Sequence, residues 1–277
     1  MSKKVWSAIF VSIVLVFGAC SKKEAPPAKE EAAAPAKAAV VPGEMVLIPA
    51  GEFVFGESEN KEDAAYPEQK INLPAFWIDK YEVTGKEMLD FSVETHYTGQ
   101  GAREGKDWRL FVTPQNAYNP VVYVTWDDAE AYCKWRGKRL PTEQEWEKAA
   151  RGTDGRKYPW GNEWKTGLAN TYEEGVGAPV AVGKYEGDVS PYGVRDMLGN
   201  VQEWTASWYK AYKGNPKSDP NFGERWRVVR GASSRIYGQR FAMWVRAAYL
   251  PASLYDFGCR CAKDATPDEA AKAGQTK

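Results

Sequence analysis

Histidine is almost absent from this sequence, with His96 the single example among 277 residues. One histidine cannot build a multi-histidine zinc or non-haem iron site, because such sites use two or three imidazoles. A Ser-His-Asp or Cys-His nucleophile system would have to use His96 itself. Because His96 lies in the polar stretch 94–98, we expect it on the surface and not in a catalytic site.

The sequence also lacks an excess of charge of either sign, since 37 Lys and Arg residues balance 37 Asp and Glu residues. A chain without net charge has no global field that would draw it to nucleic acid or to anionic lipid. We therefore predict no nucleic-acid partner. Aromatic residues, in contrast, are abundant at 13%, with 12 tryptophans. This composition indicates a loop-rich fold whose core is filled by large rings.

The first 20 residues have the pattern of an export signal. Two lysines precede the apolar run Val5–Phe17, and a Gly-Ala pair leads directly into Cys20. This pattern resembles a bacterial lipoprotein signal, in which Cys20 becomes the lipidated first residue. The resemblance implies a membrane attachment through lipid and a place in the cell envelope. Ser21 in place of Asp favours the outer membrane, facing either the periplasm or the surface. An ordinary cleaved signal is the alternative.

Composition divides the remaining chain into a tether, one domain and a tail. Residues 21–43 are rich in Ala, Pro, Lys and Glu and carry almost no large apolar side chain, so they cannot bury enough surface to fold. Residues 264–277 have a similar composition, and we predict a disordered tail there. The folded domain is expected over residues 44–263.

Local patterns predict three helices and several short strands within this domain. Thr84 and Thr142 begin capping boxes, and Thr125 caps a helix over 127–136 that ends at Gly137. Short apolar runs broken by Pro and Gly are typical of strands. The predicted strands are 45–49, 51–56, 75–78, 120–124, 226–231 and 241–246.

The stretch Asp196-Met-Leu-Gly-Asn-Val-Gln-Glu-Trp204 places two carboxylates on either side of a Gly-Asn turn. A turn of this kind lets carboxylate and carbonyl oxygens point at one spot, which is the ligand shell that calcium takes. The alternative is a surface turn whose two acids are only solvated.

Five motifs occur in a fixed order: Gly137–Glu147, Tyr158–Gly161, Gly199–Trp204, Arg230–Ser233 and Gly258–Cys261. Together they resemble the formylglycine-generating enzyme family, also called sulfatase-modifying factor domains. The segments Val46–Phe53 and Ile78–Thr84 fit as well, so that the resemblance covers about residues 44–263. It implies an α+β fold related to C-type lectins, loop-rich with short strands and a few helices, and stabilised by calcium.

The resemblance also implies which residues hold calcium. The first site corresponds to the side chains of Asp196 and Glu203 and the backbone oxygens of Gly199 and Val201. Asp196 stands where the family usually has Asn, and a charged oxygen donor is compatible with calcium. A second site corresponds to Asn170 and the Thr171 carbonyl. The loop that supplies its other oxygens is shorter here, and Glu173 or Glu174 would have to substitute.

The family pattern accounts for the four cysteines in different ways. Cys20 is assigned to lipid. Cys133 and Cys261 match positions that are bridged in some members, and an exported domain permits the bond; two buried thiols are the alternative. Cys259 stands where the family usually has an apolar aromatic residue. We expect it in the core, with a Cys259 disulfide as the alternative.

Active members of the family bind copper through two cysteines, five residues apart, that follow the Arg-Gly-Gly-Ser strand. Here the corresponding positions fall near Ile236 and Phe241, and only Ser233 of that strand is retained. A hydrocarbon side chain cannot supply the soft thiolates that suit Cu(I). We therefore expect calcium as a structural cofactor, no copper and no sulfatase-activating catalysis.

Several arginines are interleaved with aromatic residues in the same region. One interpretation is a cleft for an anionic or glycan-like ligand, lined by guanidinium groups and rings. The other is that these arginines are buried and paired with acids, which we favour for Arg230 and Arg246. The choice between the two interpretations stays open for the remaining three, Arg227, Arg235 and Arg240.

Three functions remain from this reading. The first is a lipid-anchored envelope protein whose non-catalytic domain acts as a calcium-stabilised binding or scaffold module, with an envelope protein as partner. The second is an enzyme with altered chemistry that uses Ser233, Arg235, Tyr237 or Cys259 in the same cleft. The third is a protein that binds a glycan or peptidoglycan.

Overall fold

Three helices begin at the threonines that the sequence predicts. The computed structural model describes residues 40–101 and 107–273, in which α1 spans Gly85–Thr95, α2 Trp126–Trp135 and α3 Glu143–Arg151. Each helix has a complete capping box, which satisfies backbone donors that a helix start otherwise leaves unpaired. The reciprocal pairs are Thr84 with Glu87, Thr125 with Asp128, and Thr142 with Glu145.

In the ranges that the structure describes, nine short strands form three small sheets around these helices. The strands are β1 Met45–Ile48, β2 Gly51–Phe55, β3 Gln69–Leu73, β4 Phe76–Asp79, β5 Gln202–Trp208, β6 Arg227–Arg230, β7 Ala247–Tyr249, β8 Phe257–Gly258 and β9 Ala262–Asp264. Their orders are β1-β4-β9, β2-β3 and β7-β6-β5-β8, and only the pairing of β5 with β8 is parallel. Mixed small sheets joined by long loops confirm the expected α+β, loop-rich fold.

Three sequence predictions about secondary structure are wrong. Residues 120–124 form a single bridge at Pro120 and then turn, because Tyr123 has a positive φ of 60° that ends any strand. Residues 241–246 form a loop with a turn at 243–244, and the strand begins only at Ala247. The predicted tail at 264–277 contains a helix, α4, over Pro267–Ala273. Its start is stabilised by Thr266, which accepts a bond from a backbone N–H three residues on.

The two largest of four buried clusters in the described residues form most of the core. One packs α1 and α2 against β5 and β6, with Trp204 at its centre. The other packs α3 against β1 and β4 around Trp146. Large rings therefore fill both clusters, as the aromatic content predicts. Among the helices of the described ranges, none is long and apolar enough to cross a membrane.

A disulfide joins Cys133 in α2 to Cys261, which directly precedes β9, with the Cα atoms 5.6 Å apart. This is the pair that the family resemblance implies, and the bond ties the helical cluster to the last strand. Cys259 is free and buried, as expected of a core position. His96 is exposed and ends α1 in a left-handed conformation, so it lies on the surface, as expected.

Candidate functional site

The Gly-Asn turn is built from residues with positive φ, which brings two loops into contact. Asp196, Gly199 and Asn200 have φ angles of 55°, 90° and 58°. A side chain at Gly199 would place its Cβ 2.3 Å from the carbonyl oxygen of Asn170, so only glycine fits there. The Asn200 backbone N–H donates to that same oxygen at 2.8 Å. The turn therefore holds Asn170 and Thr171 directly beside Gly199.

Glu203 and Asp196 meet around one buried arginine. Arg260 donates to both carboxylate oxygens of Glu203 at 2.7 Å each, and the Trp146 indole N–H donates to Glu203 Oε2 at 2.9 Å. Arg260 also donates to the backbone oxygen of Asp196 at 3.2 Å. These three hydrogen bonds occupy three of the about four acceptor positions of the Glu203 carboxylate, so one position is left. The Asp196 carboxylate itself accepts the Gly183 backbone N–H at 2.6 Å, and the charges of Arg260 and Glu203 both act on it, so the two predicted carboxylates lie in one site.

Glu82 is a third buried acid of this site, and the motif analysis did not assign it a role. Its carboxylate accepts bonds from the Asn200 side chain at 2.6 Å and the Val201 backbone N–H at 3.2 Å. Burial raises the pKa of Glu82 well above its usual value, and repulsion from Asp196 and Glu203 raises it further. The signal that could have pointed to Glu82 is its place in the segment Ile78–Thr84, which fits the family pattern.

Asp188 is the fourth acid, and no motif pointed to it. One oxygen accepts the Leu198 backbone N–H at 2.9 Å, while the other, Oδ1, has no donor in the described structure although Asp188 is 1% exposed. Burial raises the pKa of Asp188, and repulsion from Asp196 adds to that increase. Four buried carboxylates therefore share Arg260, and we call them the acid cluster: Glu82, Asp188, Asp196 and Glu203.

The acid cluster fits a hard divalent cation in the kind of donor and in charge. Carboxylate and carbonyl oxygens are calcium ligands, and a bound cation would favour the ionised form of the acids whose pKa burial raises. In the described ranges, no three His, Cys, Asp or Glu side chains are placed to hold a metal together. A calcium ion here would depend on backbone oxygens beside Asp196 and Glu203, as the resemblance implies.

The second predicted calcium position has a free acceptor but no free carboxylate. Asn170 Oδ1 is buried without a donor, while the Thr171 carbonyl accepts the Glu174 backbone N–H at 3.1 Å. Glu173 accepts two backbone N–H groups of the 238–239 turn at 3.0 Å. Glu174 accepts the backbone N–H of Gly167 at 2.7 Å. The carboxylates of Glu173 and Glu174 therefore already bind backbone N–H groups of neighbouring loops. These bonds do not orient either carboxylate towards a calcium ion.

We use the term degenerate cleft for the surroundings of Ser233, Ile236 and Phe241, where the family resemblance places the copper-binding cysteines. Ile236 and Phe241 are half-buried and pack against the core cluster around Trp146 and Met243. Ser233 is buried, and its Oγ accepts the Arg235 backbone N–H at 3.3 Å. The side chains of Ile236 and Phe241 thus serve to pack against the core.

Cys259 does not offer a reactive thiolate in place of the missing pair. It is fully buried, and burial raises the pKa of its thiol well above the usual value, with a further contribution from nearby Glu203. A protonated buried thiol is a weak metal ligand and a weak nucleophile.

The arginines divide into a buried and an exposed group. Arg230 pairs with Glu147, and Arg246 donates to Glu143 at 2.8 Å, both without exposure of the guanidinium-bearing side chain. The interpretation of these two as buried and acid-paired is confirmed. Arg235 and Arg240 are exposed, and Arg227 lies between two tryptophan rings.

Comparison with known proteins identifies the class that this fold and cleft define. Residues 30–265 match the family described as sulfatase-modifying factor enzyme 1-like domain, and the chain belongs to that family. It is 30% identical to formylglycine-generating enzyme of Bos taurus, over 82% of this chain and 76% of the bovine protein. It is 32% identical to inactive C-alpha-formylglycine-generating enzyme 2 of Bos taurus, over 80% and 88%. The structure of PvdO from Pseudomonas aeruginosa superimposes with a TM-score of 0.64 at 24% identity, over 82% of this chain and all of PvdO.

Asp196→Asn is expected to remove part of the pH dependence of stability in calcium-free buffer. Burial raises the pKa of Asp196 to about 6, so the folded state holds this proton more tightly than the unfolded state. The free energy of unfolding therefore falls as pH rises from about 4 to about 6, by roughly 3 kcal/mol for two pKa units. The asparagine variant stays neutral and lacks this fall.

Urea unfolding of both proteins at pH 4, 5, 6 and 7 with EDTA measures the effect. The difference between the two proteins isolates Asp196 from acids elsewhere. Added calcium should oppose the fall in the wild type, since a bound cation favours the ionised carboxylate. Parallel pH profiles for the two proteins contradict the prediction.

Proposed function

We propose that this protein is a lipid-anchored envelope protein whose sulfatase-modifying-factor domain has lost copper chemistry and serves as a calcium-stabilised binding or scaffold module. The observation that carries the proposal is the content of the degenerate cleft. Ile236 and Phe241 occupy the positions at which the family resemblance places the two cysteines, and both are half-buried and pack against the core. Neither side chain can bind Cu(I) or form a mixed disulfide with a substrate cysteine.

An altered enzyme in the same cleft has less support. The Ser233 hydroxyl is buried, and the single histidine of the chain lies on the exposed end of α1, so no imidazole can act as its base. Cys259 is a protonated thiol in the core, as its raised pKa indicates. Arg235 and Tyr237 are exposed and suit binding better than covalent chemistry.

The relatives are compatible with a non-catalytic role. One of them, at 32% identity, is named as an inactive formylglycine-generating enzyme, so the family contains at least one protein described as lacking the activity. Loss of catalysis with retention of the fold is expected when a rigid domain is used for recognition.

Calcium and lipid complete the proposal. Asp196, Gly199, Val201 and Glu203 would hold a structural calcium that offsets the negative surplus of the acid cluster, with Asn170 and Thr171 at a second position. A lipidated Cys20, which lies outside the described residues together with the signal and residues 21–39 of the tether, would hold the domain at the outer membrane. Its partner there would be an envelope protein or a glycan.

Oxygen uptake during incubation with copper and a Cys-x-Pro-x-Arg peptide tests the loss of catalysis. We expect no uptake above the copper-and-peptide blank and no conversion of the peptide cysteine by mass spectrometry. The bovine formylglycine-generating enzyme under the same conditions is the positive control. Conversion of the peptide by this protein would rule out the proposal.

A further inference from the structure

Trp208, at the end of β5, is held as a rigid platform. The guanidinium carbon of Arg227 lies 3.4 Å from the centre of the Trp208 ring and 3.7 Å from that of Trp126, so the arginine is stacked between the two rings. Arg227 also donates to the Ala206 carbonyl at 2.6 Å, and the Trp126 indole donates to the Thr205 carbonyl at 2.8 Å. These bonds fix the stack, and Trp208 is its outermost, half-buried ring.

Trp208 borders an open groove of about 440 Å³. Phe55, Ile71 and Tyr212 provide apolar surface in the groove, while two side-chain amides and one hydroxyl provide polar groups. These polar groups are Gln69, Gln144 and Ser207, and each type can both donate and accept hydrogen bonds. None of the acid cluster and none of the degenerate cleft lines this groove.

Of the two lysines that line the groove, one forms no ion pair with an acid of the described residues. Glu143 lines it too, but its buried carboxylate is taken by Arg246 at 2.8 Å and by the Tyr212 hydroxyl at 3.3 Å. Lys210 at the rim pairs with Glu224 at 2.5 Å. Lys213 is exposed, and no acid of the described residues forms an ion pair with it. A ligand carboxylate therefore has one available ammonium group at the rim.

We propose that this groove binds a saccharide that carries a carboxylate. A pyranose ring has an apolar face that lies flat on an indole, and its hydroxyls donate and accept as amides and hydroxyls do. Lys213 would bind the carboxylate at the groove rim. The proposal names a ligand class for the binding role proposed above, yet the groove lies outside the degenerate cleft. Saccharide binding and loss of copper chemistry can therefore each fail alone.

Isothermal titration of the full chain with two disaccharides tests the proposal. The probes are N-acetylglucosaminyl-N-acetylmuramic acid and N,N′-diacetylchitobiose, of which only the first has a carboxylate. We expect the acidic disaccharide to bind about tenfold more tightly. Lys213→Met should abolish that difference without loss of the chitobiose affinity. Trp208→Ala should weaken both ligands by tenfold or more.

Trp77→Ala is the matched control, because Trp77 is a half-buried tryptophan of β4 that does not line the groove. It should leave both affinities unchanged. Trp208→Tyr keeps a smaller platform and should retain intermediate affinity, which covers the case in which Trp208→Ala unfolds. No heat from either disaccharide at millimolar concentration, equal affinities in the wild type, or undiminished affinities in a folded Trp208→Ala variant would overturn the proposal. An acidic peptide that competes with the acidic disaccharide for the groove, and binds it with equal affinity, would also overturn the proposal.

Discussion

Arg260→Met is expected to lower the free energy of unfolding by about 3–5 kcal/mol in calcium-free buffer. Arg260 is the fully buried cation of the acid cluster, where it binds both oxygens of Glu203 and the backbone oxygen of Asp196. Methionine fills similar volume but leaves buried carboxylates without a counter-charge, and breaking one partner of a buried pair is strongly destabilising. Urea unfolding at pH 7 measures the change.

Two further variants show whether the effect arises from charge. Arg235→Met replaces an exposed arginine and should cost less than about 1 kcal/mol. Glu203→Gln in the Arg260→Met background removes one of the stranded charges and should recover part of the lost stability. Saturating calcium should also reduce the loss, if the acid cluster accepts a cation. An Arg260→Met protein as stable as Arg235→Met contradicts the description of this site.

Loss of the disulfide is expected to have an effect of similar size. The bond between Cys133 and Cys261 closes a loop with a sequence separation of 128. In the chain-entropy model a loop of this length contributes about 5 kcal/mol by restricting the unfolded chain. The Cys133→Ala/Cys261→Ala variant should therefore unfold at much lower urea concentration, as should the wild type in a strong thiol reductant.

Cys259→Ala separates the crosslink from simple packing, because Cys259 is a buried free thiol of the same core cluster. Its replacement removes a sulfur without opening a loop and should cost about 1–2 kcal/mol. If the double variant costs no more than twice this control, the bond itself contributes little.

The features that the sequence predicted well are those set by a few adjacent residues. Threonine capping boxes fixed the starts of α1, α2 and α3, since the cap involves residues only three apart. The five motifs indicated the family because each of them is a short run of adjacent residues that can be recognised in the sequence. The strand predicted at 120–124 failed because apolar composition says nothing of the positive φ at Tyr123.

The acid cluster shows the limit of such reasoning at the site. Asp196 and Glu203 were found from one turn, but Glu82 and Arg260 come from segments more than 50 residues away in sequence. Asp188 belongs to no motif, and its importance lies in an oxygen without a donor, which only the packed structure reveals. The Trp208 platform likewise depends on Arg227 and Trp126, which meet through sheet pairing and a helix start. Tertiary contacts of this kind have no local signature.

Copper binding tests the central claim, that an oxidase scaffold here has hydrocarbon at its metal-binding positions. Full-length protein, with Cys20 lipidated or replaced by serine, is equilibrated anaerobically with Cu(I) and a competing chelator, and retained copper is measured with its sulfur coordination by X-ray absorption. The Ile236→Cys/Phe241→Cys variant restores the two thiols and serves as the comparison. We predict no retained copper in the parent protein and one two-sulfur Cu(I) per chain in the variant. One Cu(I) held by two sulfurs in the parent protein would contradict the account.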